Sequence, residues 1–247
     1  MIKKTKKDQG DYFRNRKLFQ WNPNFELLLA IITLLLTWFI YYGAFNLYES
    51  SNVGLFLLFI IIDNTLINTL FPLWWITKYQ KRPLSDLGIT KNLLIPSILI
   101  SLIFAIWKLI ELPNLINGFD YIPQLIIGVL IFWEPFFVLG WLQTRYEKSF
   151  GIIPAIFLSA LSFIVFQIGS GPLDTLFSFF PEFLILATAF ALTKNIFVVW
   201  PIYWCVGSTV NELVLGMHYG WNAVAGYLIA IIIQFSFIYY LMRNKNA

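Results

Sequence analysis

Apolar residues in this chain fall in runs of about 20, with polar and charged residues gathered between the runs rather than spaced through them. The pattern lacks the single wet stripe of an amphipathic soluble helix, and unbroken apolar runs of this length mark helices that span a bilayer. They fall near 25–46, 52–76, 93–111, 123–144, 151–169, 175–193, 196–215 and 219–242. An all-α, polytopic integral membrane bundle of about eight transmembrane helices is predicted. Pro83 with Gly88, Pro113 with Asn114, Asn117 and Gly118, and Gly169 with Gly171 and Pro172 mark connections, since these residues favour turns over helix. The connections are short, so one transmembrane domain over 25–247 is expected, preceded by a basic segment at 1–24.

Composition strengthens this reading. Hydrophobic residues make up 59% of the 247 and charged ones 12%, where soluble domains average roughly 45–50% and about 25%. Positive charge then orients the chain, because Lys and Arg flanking spans are held on the cytoplasmic side. With the N-terminus inside and the runs alternating, inner segments collect Lys3, Lys4, Lys6, Lys7, Arg14, Arg16 and Lys17. They also collect Lys78, Lys81, Arg82, Lys91, Arg145, Lys148, Lys194, Arg243 and Lys245, which leaves Lys108 elsewhere. Outer segments collect Glu49, Glu111, Asp120, Asp174 and Glu212. Lys108 stands one turn from Glu111, to pair with it or to snorkel outward. A multi-pass cell-membrane protein with both termini cytoplasmic is the expectation. The first run is too long for a signal-peptide core and lacks a small-residue cleavage site, so it reads as an uncleaved anchor. The net charge of +4 lies at span ends, where anionic headgroups attract it. Membrane lipids are therefore expected partners and nucleic acid is not, because no basic face is interleaved with exposed aromatics. Cys205 has no cysteine partner in the chain.

An ionisable side chain deep in a bilayer costs at least about 2.5 kcal/mol, so each one is a candidate for function. Asp63, followed by Asn64 and Thr65, reads either as hydrogen-bonding glue between helices or as a functional acid. Glu182 follows Pro181 and reads as a carboxylate capping a helix start. Glu134 stands about 10 residues, or ~15 Å, inside a strongly apolar run and is the leading candidate. Gln167, Cys205, Thr209, Asn211, His218 and Asn222 are further polar groups at depth, the last two one helical turn apart. One His and one Cys fall short of a zinc ligand set, so neither a metal nor a cofactor is expected.

The segment Trp133-Glu134-Pro135-Phe136-Phe137-Val138-Leu139-Gly140-Trp141-Leu142-Gln143 resembles the first motif of the CPBP family, the CAAX-protease and bacteriocin-processing intramembrane enzymes also called Abi. That motif is a Glu-Glu pair, three apolar residues, Arg, then Gly and a Leu-Gln-like continuation. Lys81-Arg82-Pro83-Leu84-Ser85-Asp86-Leu87-Gly88-Ile89 resembles the family's cytoplasmic Leu-Gly segment. Ser149-Phe150-Gly151-Ile152 and Ser159-Ala160-Leu161-Ser162-Phe163 resemble the approach to the second motif, a Phe with His four residues on. Leu192-Thr193-Lys194-Asn195-Ile196-Phe197, with Trp200-Pro201-Ile202, resembles the approach to the third, a His with Asn or Asp four residues on. The likeness covers about half the chain, over 81–209, and implies a CPBP-like core there. It further implies a glutamate that activates water, with His and Asn groups stabilising the oxyanion.

The departures fall on the chemistry. Glu134 keeps the first glutamate, but Pro135 replaces the second, Leu139 replaces the arginine, and Gln167 stands where the second motif has His. With Pro201 as anchor, Cys205 and Thr209 stand for the third pair; the alternative pair, His218 and Asn222, requires an insertion and lies nearer the outer surface. One lost oxyanion donor costs roughly 10²–10³ in rate. The resemblance therefore implies a catalytically degenerate protein that binds transmembrane or peptide segments as scaffold, regulator or immunity factor. Two other readings are open. One is an active glutamic-type intramembrane endopeptidase using Glu134 with Gln167, or with His218 and Asn222. The other is a small transporter with Asp63, Glu134 and Glu182 along a polar path, although no internal repeat accompanies it.

Overall fold

The computed structural model describes residues 17–46, 58–115 and 121–243. Outside the described residues lie the basic positions before Lys17, Glu49, Asp120, the turn at Asn117 and Gly118, and Lys245.

Helix α1 (Phe25–Asn46) starts where Asn24 Oδ1 accepts the Leu27 N–H at 3.1 Å, satisfying a donor orphaned at a helix start. Helix α2 (58–79) winds in wide π-type turns over Leu58–Leu70 and Trp75–Tyr79, on either side of a short α segment at Phe71–Trp74. Helix α3 is Leu94–Glu111. Helix α4 (Ile122–Phe150) is interrupted at Ile131 and Phe132. The cause is Pro135, which has no N–H for the Ile131 carbonyl and whose ring crowds that carbonyl. Five more follow: α5 (Ile152–Gln167), α6 (Leu173–Ser178), α7 (Phe180–Thr193), α8 (Ile202–Val214) and α9 (Trp221–Arg243). No strand occurs among the described residues.

Helix is present in each of the eight apolar runs. The sixth run divides at Phe179 into α6 and α7, and the seventh becomes α-helical only at Ile202, after a 3₁₀ turn at Ile196–Val198. Four helices are long and apolar enough to cross a membrane: Phe25–Asn46, Leu94–Asn114, Ile122–Phe150 and Trp221–Arg243. Ile152–Gln167 and Phe180–Thr193 are apolar but shorter. Helix α4 is the axis of the bundle, with 78% of its apolar window buried against 22–33% for the other three. The others expose Leu35 and Phe39, Ile103 and Ile110, and Ile229 and Ile232. So extensive an apolar exterior suits lipid rather than water, and the molecule is a membrane protein.

Two close approaches set the packing. A Cβ on Gly128 would lie 2.7 Å from the Cys205 carbonyl oxygen, so glycine lets α4 and α8 meet backbone to backbone, as small residues do between membrane helices. Residues 17–22 lie as a strap across 149–153, with Gln20 N donating to Phe150 O at 2.9 Å and Ile152 N to Lys17 O at 3.1 Å. Gly151 permits this at φ +91°, and a Cβ there would stand 2.6 Å from Leu18 O.

At the same end of the bundle Arg82 meets Glu26 at 2.6 Å and Arg145 meets Glu26 at 3.1 Å. Lys148 reaches Asp86 at 3.5 Å, and Lys194 pairs with Glu147. Three basic residues assigned to inner segments, Arg82, Arg145 and Lys148, thus converge on one network with Glu26 and Asp86, and Lys194 makes a separate pair.

Candidate functional site

The break in α4 positions the leading candidate. Glu134 lies just beyond it, 5% exposed, and accepts a hydrogen bond from Gln167 Nε2, at the end of α5, at 3.0 Å. Both line a small, partly open cavity of about 40 Å³. Its apolar wall includes Tyr41 and Phe45 of α1 and Phe183 of α7; its polar wall on α8 is Ser208, Asn211 and Glu212.

Glu212 brings a second carboxylate to the cavity, and Gln124 Nε2 donates to it at 2.7 Å. The same Gln124 amide donates to Met217 O at 3.3 Å and accepts from Tyr219 N at 3.0 Å, which fixes the loop before α9 along the cavity rim. Ser208 is 7% exposed and its hydroxyl has no hydrogen-bond partner. A buried hydroxyl left unpaired costs about 1–3 kcal/mol, so the polar wall holds bonding capacity for an occupant. Neither Glu134 nor Glu212 belongs to an ion pair among the described residues.

Asn211 links this wall to a buried charge cluster. Its Nδ2 donates to Glu182 Oε1 at 3.0 Å, and its Oδ1 accepts from Lys108 Nζ at 3.2 Å. Lys108 pairs with Glu182 at 2.7 Å and with Glu111 at 3.1 Å, and the Tyr203 hydroxyl donates to Glu182. Glu182 does stand in the first turn of α7, as a carboxylate at a helix start is expected to, but its oxygens are taken by Lys108, Tyr203 and Asn211 rather than by the helix's own N–H groups. Ion pairing outweighs capping here because Lys108, itself buried, requires a counter-charge. The expected Lys108–Glu111 pair forms beside it.

The other expected residues go elsewhere. Cys205 Sγ donates to Leu125 O at 3.3 Å and Thr209 Oγ1 donates to Cys205 O at 2.7 Å; neither lines the cavity. The alignment anchored on Pro201 puts Cys205 and Thr209 at the site. The seventh run, however, spends its first residues in a 3₁₀ turn and a bend, so cavity level is reached further along, at Ser208 to Glu212. Three to seven residues beyond Cys205 is ~4.5–10.5 Å of helix. His218 and Asn222 are exposed and lie outside the cavity lining, although Met217 and Tyr219 beside His218 contribute to it. Asp63, on α2 beside Asn64, does not line the cavity.

Sequence reasoning missed Gln124 and Ser208 and placed Glu212 among outer charges. A usable signal was present: Ser208 and Glu212 are one turn apart, in the polar stretch that also holds Thr209 and Asn211. No family model, curated protein or solved structure matches the chain.

Proposed function

We propose that the chain is a CPBP-like protein of about eight spans with both termini in the cytoplasm, catalytically degenerate, whose Glu134 cavity binds a membrane peptide or protein segment as scaffold, regulator or immunity factor. The observation that carries this is the meeting of Glu134 and Gln167 at 3.0 Å in a partly open cavity. They stand at the resembling positions of the first two motifs.

Packing of the resembling segments supports the same core. A Cβ on Gly140 would lie 2.6 Å from Leu87 O, so the Leu-Gly segment packs directly on the first motif. Ile196 N donates to Gly88 O at 2.9 Å, tying in the approach to the third. Degeneracy follows from the donors. Gln167 Nε2 gives one of its two N–H groups to the carboxylate, Leu139 carries no charge, and no imidazole lines the cavity. Each missing oxyanion donor costs roughly 10²–10³ in rate.

One observation favours the second reading, an active intramembrane endopeptidase. Glu212 restores a carboxylate pair in the cavity from a different helix. The transporter reading finds no comparable support, because Asp63 and Glu182 are absent from the lining of the Glu134 cavity.

The test follows intact membrane peptides by mass spectrometry in membranes carrying the wild type or Glu134→Ala at matched protein levels, with a photo-reactive residue placed at position 45. Peptide cross-linked at position 45, without cleavage in either membrane, is expected. Cleavage that disappears in Glu134→Ala overturns degeneracy and selects the second reading. Neither cleavage nor cross-linking overturns both.

A further inference from the structure

We propose that the occupant of the Glu134 cavity presents a primary ammonium, the head of a lysine side chain, to Glu134, Glu212 and Ser208, an inference that rests on the peptide-binding reading and names what the site selects. Each carboxylate keeps an oxygen for it. Gln167 donates to Glu134 Oε1 and Gln124 to Glu212 Oε2, and among the described residues the other oxygen of each carboxylate receives no donor. The Ser208 hydroxyl, on the same wall and 7% exposed, is likewise without a partner. Asn211 beside it is committed at both ends, to Glu182 and to Lys108. Lys108 itself pairs with Glu182 and Glu111, and no ion pair of the described residues includes Glu134 or Glu212. Two carboxylates that line one small space without a cation are costly to withdraw from water.

Size and shape narrow the cation. The cavity of about 40 Å³ holds roughly three water-sized groups at ~10–15 Å³ each, which is room for the end of one side chain and not for a helix. A lysine ammonium carries three donors and no acceptor, matching the two free carboxylate oxygens and the hydroxyl. The planar guanidinium of arginine is larger and spreads five donors. The walls suit the stem as well. Tyr41 and Phe183 line the same cavity as the acids, and lysine lays its methylenes along apolar surface while its head takes polar partners. A metal ion fits less well, because the described residues hold no group of three or more His, Cys, Asp or Glu placed to bind one, and hard divalent cations take six or more oxygen ligands.

The test offers the purified full chain in detergent, with the photo-reactive residue at position 45, synthetic apolar helical peptides that differ at one central position: lysine, Nε-acetyl-lysine, norleucine or arginine. The lysine peptide should cross-link about tenfold or more above the acetyl-lysine and norleucine peptides, the scale of one hydrogen bond to a charged group, with arginine below lysine. The lysine-to-norleucine ratio should fall several-fold in Glu212→Gln and in Ser208→Ala; where Glu212→Gln does not fold, Ser208→Ala and the wild-type ratio decide. Equal cross-linking of the lysine and norleucine peptides overturns the ammonium and leaves the peptide-binding reading standing. Cross-linking of none of the peptides overturns that reading and the ammonium with it. A ratio that both variants leave unchanged also overturns the proposal. So does competition against the lysine peptide by MgCl₂ that butylammonium chloride at equal ionic strength does not match, a result that identifies a metal ion.

Discussion

Lys108 offers a test in which one cation faces two glutamates of different burial. Its ammonium is 2.7 Å from Glu182, whose side chain is 8% exposed, and 3.1 Å from Glu111, whose side chain is 42% exposed. At an effective dielectric constant of about 20, Coulomb's law at the shorter distance gives roughly 6 kcal/mol of gross attraction. Desolvation offsets much of it, and breaking a buried pair from one side costs about 3–5 kcal/mol. Glu182→Gln should fall at the low end, about 3 kcal/mol, because Glu111 still faces Lys108 and Gln keeps an acceptor for Asn211 and Tyr203. Glu111→Gln should cost under about 1 kcal/mol, as exposed pairs do. The assay is reversible unfolding in mixed micelles as sodium dodecyl sulfate is raised, read by fluorescence of the 10 tryptophans. The apolar double variant Lys108→Met, Glu182→Leu should recover most of the loss, because two well-packed apolar side chains replace both charges at once. Equal costs for the two single variants, or a larger one for Glu111→Gln, would refute the reasoning that burial sets the strength of this pair.

Three further outcomes follow from the packing. Gly151→Ala places a methyl group 2.6 Å from Leu18 O at positive φ; it should cost more than about 1 kcal/mol and open the chain before Phe25 to limited proteolysis. Gln167→Leu removes the donor to Glu134 and leaves a buried acceptor unpaired, a loss of about 1–3 kcal/mol measured by the same unfolding titration, with reduced cross-linking at position 45. Thr209→Val should leave that cross-linking unchanged while Glu212→Gln lowers it, because Glu212 lines the cavity and Thr209 does not; the reverse order would restore the Cys205 and Thr209 alignment.

Much of the architecture is legible in the chain because burial in lipid is a local requirement. A spanning helix must be apolar along its whole length and must satisfy its own backbone, so the run at 25–46 coincides with α1 without any tertiary information. Glu134 was legible for the same reason, as a charge where solvation is poor. The Lys108–Glu111 pair was legible from one-turn spacing alone.

The rest depends on how helices cross, which no single run encodes. Pro135 breaks α4 at Ile131 and Phe132 and so sets the level of Glu134. The 3₁₀ turn at Ile196–Val198 shifts α8, bringing Ser208 and Glu212 to the cavity and leaving Cys205 against Leu125. Glu182 reads as a helix cap in isolation and becomes an ion-pair partner because α3 delivers Lys108 to it. The sequence by itself determined which residues must leave water and which of them were costly to move. The tertiary structure decided their partners, because a charge removed from solvent is stabilised by whichever group another helix brings within about 3 Å, and that distance is a property of the packing.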